Sequence, residues 1–344
     1  MTGRERGVLQ CALAAALFGA TTPFASRLAD DMSAGTLAGL LYVGAALAVL
    51  PVARRHHGTS SLLARGGRPL VIAVGAGGLV GPLLLASGLA RTPAATASLL
   101  LNLELAATTV IAAAFFGEHI GRRVALGAAL VVVAGITLGW SDAPELRLGA
   151  LLIVAACIAW GLDNCVTAEL SSVAPYEITL AKGLVAGTTN LALGLAVSAS
   201  VPALGEVAAA LGLGAVGYGA SITLWVRGAR ELGAARGQLI FSAAPFVGVL
   251  VAWLVLSESA TLAQLIAVCL AAAGVLMVVG SGHEHVHVHE ATVHDHEHEH
   301  DVHHLHHDGP HPAHHTHVHR HEPLVHAHPH VPDLHHRHGH DDKG

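Results

Sequence analysis

From residue 7 to residue 280 the chain is a succession of long apolar runs, and away from their ends only Glu104, Asp163 and Lys182 carry charge. The runs are bounded by charged residues or by Gly and Pro, and fall at 7–29, 34–52, 69–90, 94–116, 121–140, 148–168, 176–200, 204–226, 233–256 and 260–280. A hydrocarbon core of roughly 30 Å takes about 20 helical residues to cross, so ten crossings are expected. The runs are continuous rather than alternating, and in lipid only a helix satisfies its backbone within its own segment, which favours helices over barrel strands. Composition agrees, with 53% hydrophobic and 12% charged residues, far from the balance of a soluble domain. The expected fold class is an all-α membrane protein whose solvent is the lipid bilayer. Arg4 and Arg6 precede the first run as in a signal peptide, but residues 11–29 are long enough to span, so a retained first helix is expected.

Arginine sets the orientation. With the N-terminus inside, alternate loops place Arg4, Arg6, Arg54, Arg55, Arg65, Arg68, Arg122, Arg123, Arg227, Arg230 and Arg236 inside, and only Arg27, Arg91 and Arg147 outside. By the positive-inside rule both termini are predicted to be cytoplasmic in a multi-pass protein of the cytoplasmic (inner) membrane. Gly77/Gly81, Gly135/Gly139 and Gly183/Gly187 are each one helical turn apart, a spacing that allows close helix approach where burial gives no driving force. Cys11, Cys157, Cys165 and Cys269 lie inside apolar runs at no spacing that suggests a zinc site or disulfides, and read as packing residues.

The chain resembles itself at an offset near 140. Phe18-Gly19 falls opposite Trp160-Gly161, Gly78-x-Val80-Gly81 opposite Gly214-x-Val216-Gly217, and Ala94-Ala95, Leu99 and Glu118 opposite Ala234-Ala235, Leu239 and Glu258. A unit of five spans is odd, so two copies in tandem insert in opposite orientations, the inverted-repeat plan of many secondary transporters. Three regions follow: a first five-helix repeat over 1–140, a second over 141–280, and a hydrophilic tail over 281–344. At Phe18-Gly19 with Pro23, Trp160-Gly161, Pro245, Gly117-Glu118 and Ser257-Glu258 the sequence resembles the EamA family of the drug/metabolite transporter superfamily, over essentially all of 7–280. The resemblance implies a ten-helix carrier of a small solute without an ATPase domain, and no GxxxxGK[ST] loop is present. No nucleophile/base motif appears either, so neither an enzyme, a required cofactor nor a nucleic-acid partner is expected; a homodimer is compatible with the pattern. One departure concerns the fourth span, which reads Asn102-Leu103-Glu104-Leu105 where the ninth has Ala243-Ala244-Pro245. Whether the fourth helix bends without that proline is left open.

Ionisable groups inside a membrane are expensive and therefore functional candidates. Glu104 is about twelve residues from the inside end of its span, roughly 18 Å at the helical rise, near midplane. Thr108 shares its face, while Asn102 is about 200° around the helix. Asp163 and Lys182 share a depth nearer the inside end, so two readings fit: a static pair pinning the sixth span to the seventh, or part of the solute path. Asn164, Asn190 and Gln238 complete the polar candidates, each equally suited to bonding between helices.

The tail holds 25 of the 28 histidines and eleven acidic against three basic side chains. Its first half contains His283, His285, His287, His289, His294, His296, His298, His300, His303, His304, His306 and His307. Such a segment is expected to be disordered and to bind divalent Ni, Co or Zn through neutral imidazole, with interleaved carboxylates adding oxygen ligands. Three functions are compatible with these features: a carrier of divalent metal with the tail collecting it; an amino-acid or metabolite exporter whose tail is regulatory; and a membrane-anchored metal buffer or sensor, which a duplicated ten-span body makes uneconomical.

Overall fold

The computed structural model describes residues 3–55, 62–117, 120–139, 143–168, 170, 173–198, 201–232, 237, 240–279, 283–289, 292–298, 315–321 and 324–330. Among these, eight helices are long and apolar enough to cross a membrane: Glu5–Leu28, Ala34–Arg55, Arg65–Leu89, Ala94–Phe116, Arg122–Gly139, Pro144–Ala168, Pro175–Val197 and Leu204–Gly228. Two shorter apolar helices, Ala244–Leu254 and Leu262–Val278, lie in the ninth and tenth expected runs.

The first two spans are the unbroken helices α1 (Gly3–Leu28) and α2 (Ala34–Arg55). The third, seventh and eighth widen into π-helical stretches at glycine-rich sequence. In the third, Ala73–Val80 joins α3 (Leu62–Ile72) to α4 (Gly81–Leu89). In the seventh, Lys182–Gly187 joins α9 (Pro175–Ala181) to α10 (Thr188–Val197). In the eighth, Ala215–Ala220 joins α11 (Leu204–Gly214) to α12 (Ser221–Leu232). Two of these stretches fall on the duplicated Gly-x-Val-Gly blocks, and π-helical turns inside α-helices are frequent at functional sites.

The fourth span is interrupted without a proline. α5 (Ala94–Leu100) ends in a turn at Leu101-Asn102, and α6 (Leu103–Phe116) resumes. Three tight i→i+3 backbone bonds close the turn: Asn102 to Leu99, Glu104 to Leu101 and Leu105 to Asn102. The Asn102 side chain donates to the Leu99 carbonyl at 3.0 Å, competing for a group the helix would otherwise use. The ninth span breaks at the matching place, with a turn at Ser242-Ala243 before α13 (Ala244–Leu254), whose second residue is Pro245. α7 (Arg122–Gly139) and α8 (Pro144–Ala168) are the fifth and sixth spans, and α14 (Leu262–Val279) lies in the tenth expected run.

Packing follows from small residues, because burying apolar surface gives helices no advantage over lipid. α2 is the most enclosed span and lies against α10, α11 and the π-helical stretches of the seventh and eighth. A Cβ on Gly39 would sit 2.6 Å from Leu191 Cα, and one on Gly183 would sit 2.5 Å from the Tyr42 carbonyl oxygen. Large apolar side chains such as Leu13, Val110 and Leu254 point outward instead, as expected of a lipid-facing surface. At the end carrying Arg27 and Arg91, the Glu258 carboxylate accepts from the Ala94 and Ala95 amides at 2.8 and 2.9 Å. Those are orphan donors of the first turn of α5, whose preceding Pro93 offers no side-chain cap. The chain is aimed there by Ser257, held at φ 58° in the left-handed region.

The tail segments are described by their backbone. β1 (His283–His289) pairs antiparallel with β4 (Leu324–His330), and β2 (Thr292–His298) with β3 (His315–His321). For these four segments the structure differs from the expected disorder. Alternation of histidine with Val and Thr has the two-residue period of a strand, although two-stranded ladders are marginal in water.

Gly39→Leu is expected to lower stability by about 2 kcal/mol, the scale of overpacking a filled interior. Gly212→Ala, where nothing lies within 4 Å of the added atom, should leave the melting temperature unchanged or higher. Thermal melts of purified protein in detergent check both, and equal effects would contradict close α2–α10 packing.

Candidate functional site

α8 delivers three of the polar side chains, at Trp160, Asp163 and Asn164, and the third span makes room for them with glycine. Asp163 is buried, 6% exposed, and its carboxylate occupies the space where a Cβ on Gly77 would stand. Lys182 begins the π-helical stretch of the seventh span, and its side chain runs past Gly78, where a Cβ would lie 3.2 Å from Lys182 Cγ. The ammonium donates to both Asp163 oxygens, at 2.7 and 2.5 Å, and Thr167 donates to Oδ1 at 3.0 Å. The two residues that share a depth in the sequence therefore form an ion pair, and it sits in a notch made by Gly77-Gly78.

The same notch exposes a backbone acceptor. Tyr42 Oη and Trp160 Nε1 both donate to the Gly77 carbonyl, at 2.8 and 3.0 Å. Asn190, fully buried, donates to the Leu79 carbonyl at 3.1 Å, so it ties the seventh span to the third. These bonds use carbonyls in the π-helical stretch whose helical pairing is altered there.

Glu104 has a different surrounding. It is half-buried in the first turn of α6, just past the break at Asn102. Asn164 Nδ2 donates to Glu104 Oε1 at 2.8 Å and reaches Thr108 Oγ1 at 3.3 Å, so the face shared by Glu104 and Thr108 meets α8. Among the described residues the ion pairs are Arg65–Glu177 and Lys182–Asp163, and neither engages Glu104. Glu104 lies within electrostatic reach of Tyr42 and Tyr218. Those two rings meet tilted by 44° at 5.6 Å between centroids, and Phe18 meets Tyr218 edge-on at 5.5 Å and Phe241 at 5.4 Å. Glu104 thus forms no ion pair among the described residues, although Lys182 and Asp163 lie within its electrostatic reach.

Of the residues singled out in the sequence, the structure brings together Glu104, Thr108 and Asn164 in one group and Asp163 and Lys182 in another, adjacent through neighbouring positions on α8. Asn102 belongs to the helix break and Asn190 to the contact between spans. Gln238, His300, His303, His304, His306, His307, His119 and Glu118 lie outside the described residues. Tyr42, Thr167, Tyr218 and the Gly77 carbonyl were not foreseen. A signal for Tyr42 exists: it lies eight residues into α2, about 12 Å deep, whereas tyrosines in membrane proteins gather at the interfaces.

Removing one member of a buried pair leaves an uncompensated charge, which costs about 3–5 kcal/mol. Asp163→Asn and Lys182→Met should therefore each lower the melting temperature markedly. The double change should recover at least half of the summed loss; additive damage would show that the two act separately.

The profile of the EamA-like transporter family matches the chain twice, over residues 5–139 and 147–280. A protein of known crystal structure resembles it with a TM-score of 0.58 at 20% identity, covering 79% of this chain and 97% of that one. At that identity the likeness shows a shared fold and nothing further. No curated protein matches the chain. Two family matches, one on each half and together spanning nearly all of the membrane-embedded region, lead to one conclusion: the chain belongs to the EamA-like transporter family.

Proposed function

We propose that the protein is a secondary carrier of ten spans in two inverted repeats, moving a small organic solute that bears a protonated amine. The observation that carries this reading is the unequal treatment of the two membrane carboxylates. Asp163 is neutralised by Lys182, whereas Glu104 accepts its hydrogen bond from the neutral amide of Asn164, which also reaches Thr108 Oγ1. An ammonium group would supply the direct ion pair that Glu104 does not make, and the Tyr42, Tyr218 and Phe18 rings would suit the same group through cation–π attraction. Amino acids and amine-bearing metabolites are the solute class that fits. The excess of arginine on alternate loops supports an orientation with both termini in the cytoplasm.

A divalent metal as cargo is a second reading, and its support comes from the tail. The strand registers set His283 opposite His330, His285 opposite His328 and His287 opposite His326, with a similar series of three from His294 opposite His319. Histidine at such regular register positions is a composition that suits Ni, Co or Zn. Within the membrane, however, a dehydrated divalent ion needs several converging ligands, and among the described residues no three His, Cys, Asp or Glu side chains converge. We therefore assign metal to the tail, as a regulatory or buffering ligand, rather than to the path.

In liposomes, amine-bearing solutes should exchange across the membrane, and Glu104→Gln should lower the rate at all concentrations by about tenfold to a hundredfold, the scale of a charge-assisted bond. Deleting residues 283–344 should leave that exchange unchanged. Movement of Ni, Co or Zn with no amine exchange would overturn the amine reading in favour of metal.

A further inference from the structure

Away from the polar site, α6, α7 and α8 line a lateral crevice with a volume of about 640 Å³. Its floor is Leu100, Ala150 and Cys157, all buried, while its rim is apolar and exposed, with Ile136 and Leu151 57% and 65% exposed. An exposed apolar rim on membrane-spanning helices faces acyl chains. The lining on α8 runs from Arg147 to Ile158, roughly 16 Å at the helical rise, which is about half of a 30 Å hydrocarbon core. The crevice is thus one leaflet deep.

Among the described residues that line the crevice one is charged, Arg147. Of the three arginines assigned to this end, Arg27 donates to the Leu256 carbonyl at 3.2 Å and Arg91 to the Ser87 carbonyl at 2.6 Å. The Arg147 guanidinium, exposed in the first turn of α8, has no acceptor or carboxylate partner among the described residues. We propose that this crevice binds a single anionic phospholipid, with one acyl chain along α8 between α6 and α7 and the phosphate on Arg147. The chain depth, the apolar lining and the unpaired cation at the interface each match one part of that molecule. The bound chain would lie against Leu100 and Leu103, which flank the break in the fourth span.

The test uses the full chain extracted in mild detergent, with phosphatidylglycerol and phosphatidylcholine of equal chain length supplied together and retention read by native mass spectrometry. Wild type should keep one phosphatidylglycerol in preference to phosphatidylcholine. Arg147→Gln should lower that preference by about fivefold, the effect of one basic residue near an anionic lipid, while still retaining an acyl chain. Gly139→Leu should reduce retention of both lipids, because Gly139 lines the crevice and its added atom meets only Ala150 Cβ, at 3.7 Å. Lipid-free melting temperatures of both variants should equal that of wild type, which separates loss of lipid from loss of fold. Equal retention of the two lipids by wild type, or undiminished retention by Gly139→Leu in a folded protein, would overturn the assignment.

Discussion

An aspartate and a lysine paired within the membrane-spanning helices set the terms for the inner half of this molecule. A charge inside the membrane is expensive, and a pair recovers that loss only with close geometry and further hydrogen bonds. Close geometry requires that nothing stand between α8 and the third span, and Gly77-Gly78 provides it: one glycine faces the Asp163 carboxylate and the next faces the Lys182 stem. The π-helical turn that carries these glycines has carbonyls to spare, and Tyr42 and Trp160 converge on one of them. Second, third, sixth and seventh spans are thereby locked around one ion pair. With Lys182 committed, Glu104 is the carboxylate to which we assign the solute.

The breaks in the fourth and ninth spans show how two repeats reach one shape by different chemistry. In the ninth, Pro245 enters the first turn of α13, where its missing N–H is harmless. In the fourth, an asparagine side chain takes the Leu99 carbonyl and the helix re-forms after a tight turn. The consequence is local to function: the break leaves Glu104 at the start of a new helix, beside Asn164. At the other end of α5, Glu258 from the opposite repeat caps the free amides, so both ends of this short helix are finished by polar groups rather than by continued helix.

Much of this was written in the residues. Ten apolar runs, the duplicated blocks and the shared depth of Asp163 and Lys182 follow from spacing alone, because hydrocarbon thickness and helical rise convert sequence distance into depth. Helix rotation put Thr108 on the face of Glu104 for the same reason. Spacing says nothing about which helices become neighbours, so the bond from Asn164 to Glu104 and the convergence of Tyr42 on Gly77 needed the folded chain. The π-helical turns were hidden because glycine-rich sequence is equally the mark of close helix packing. The bend of the fourth span was open because asparagine acts through a side-chain bond that depends on local geometry, whereas proline acts by excluding one.

The distinction between a committed and an available membrane carboxylate is the centre of this account, and a hydrophobic carbodiimide reads it directly, since it modifies accessible carboxyl groups in a membrane as stable adducts. Peptide mapping by mass spectrometry after treatment of the protein in liposomes should find the adduct on Glu104 and not on Asp163, with an amine-bearing solute protecting Glu104. Modification of Asp163 to the same extent as Glu104, or of Asp163 alone, would contradict it.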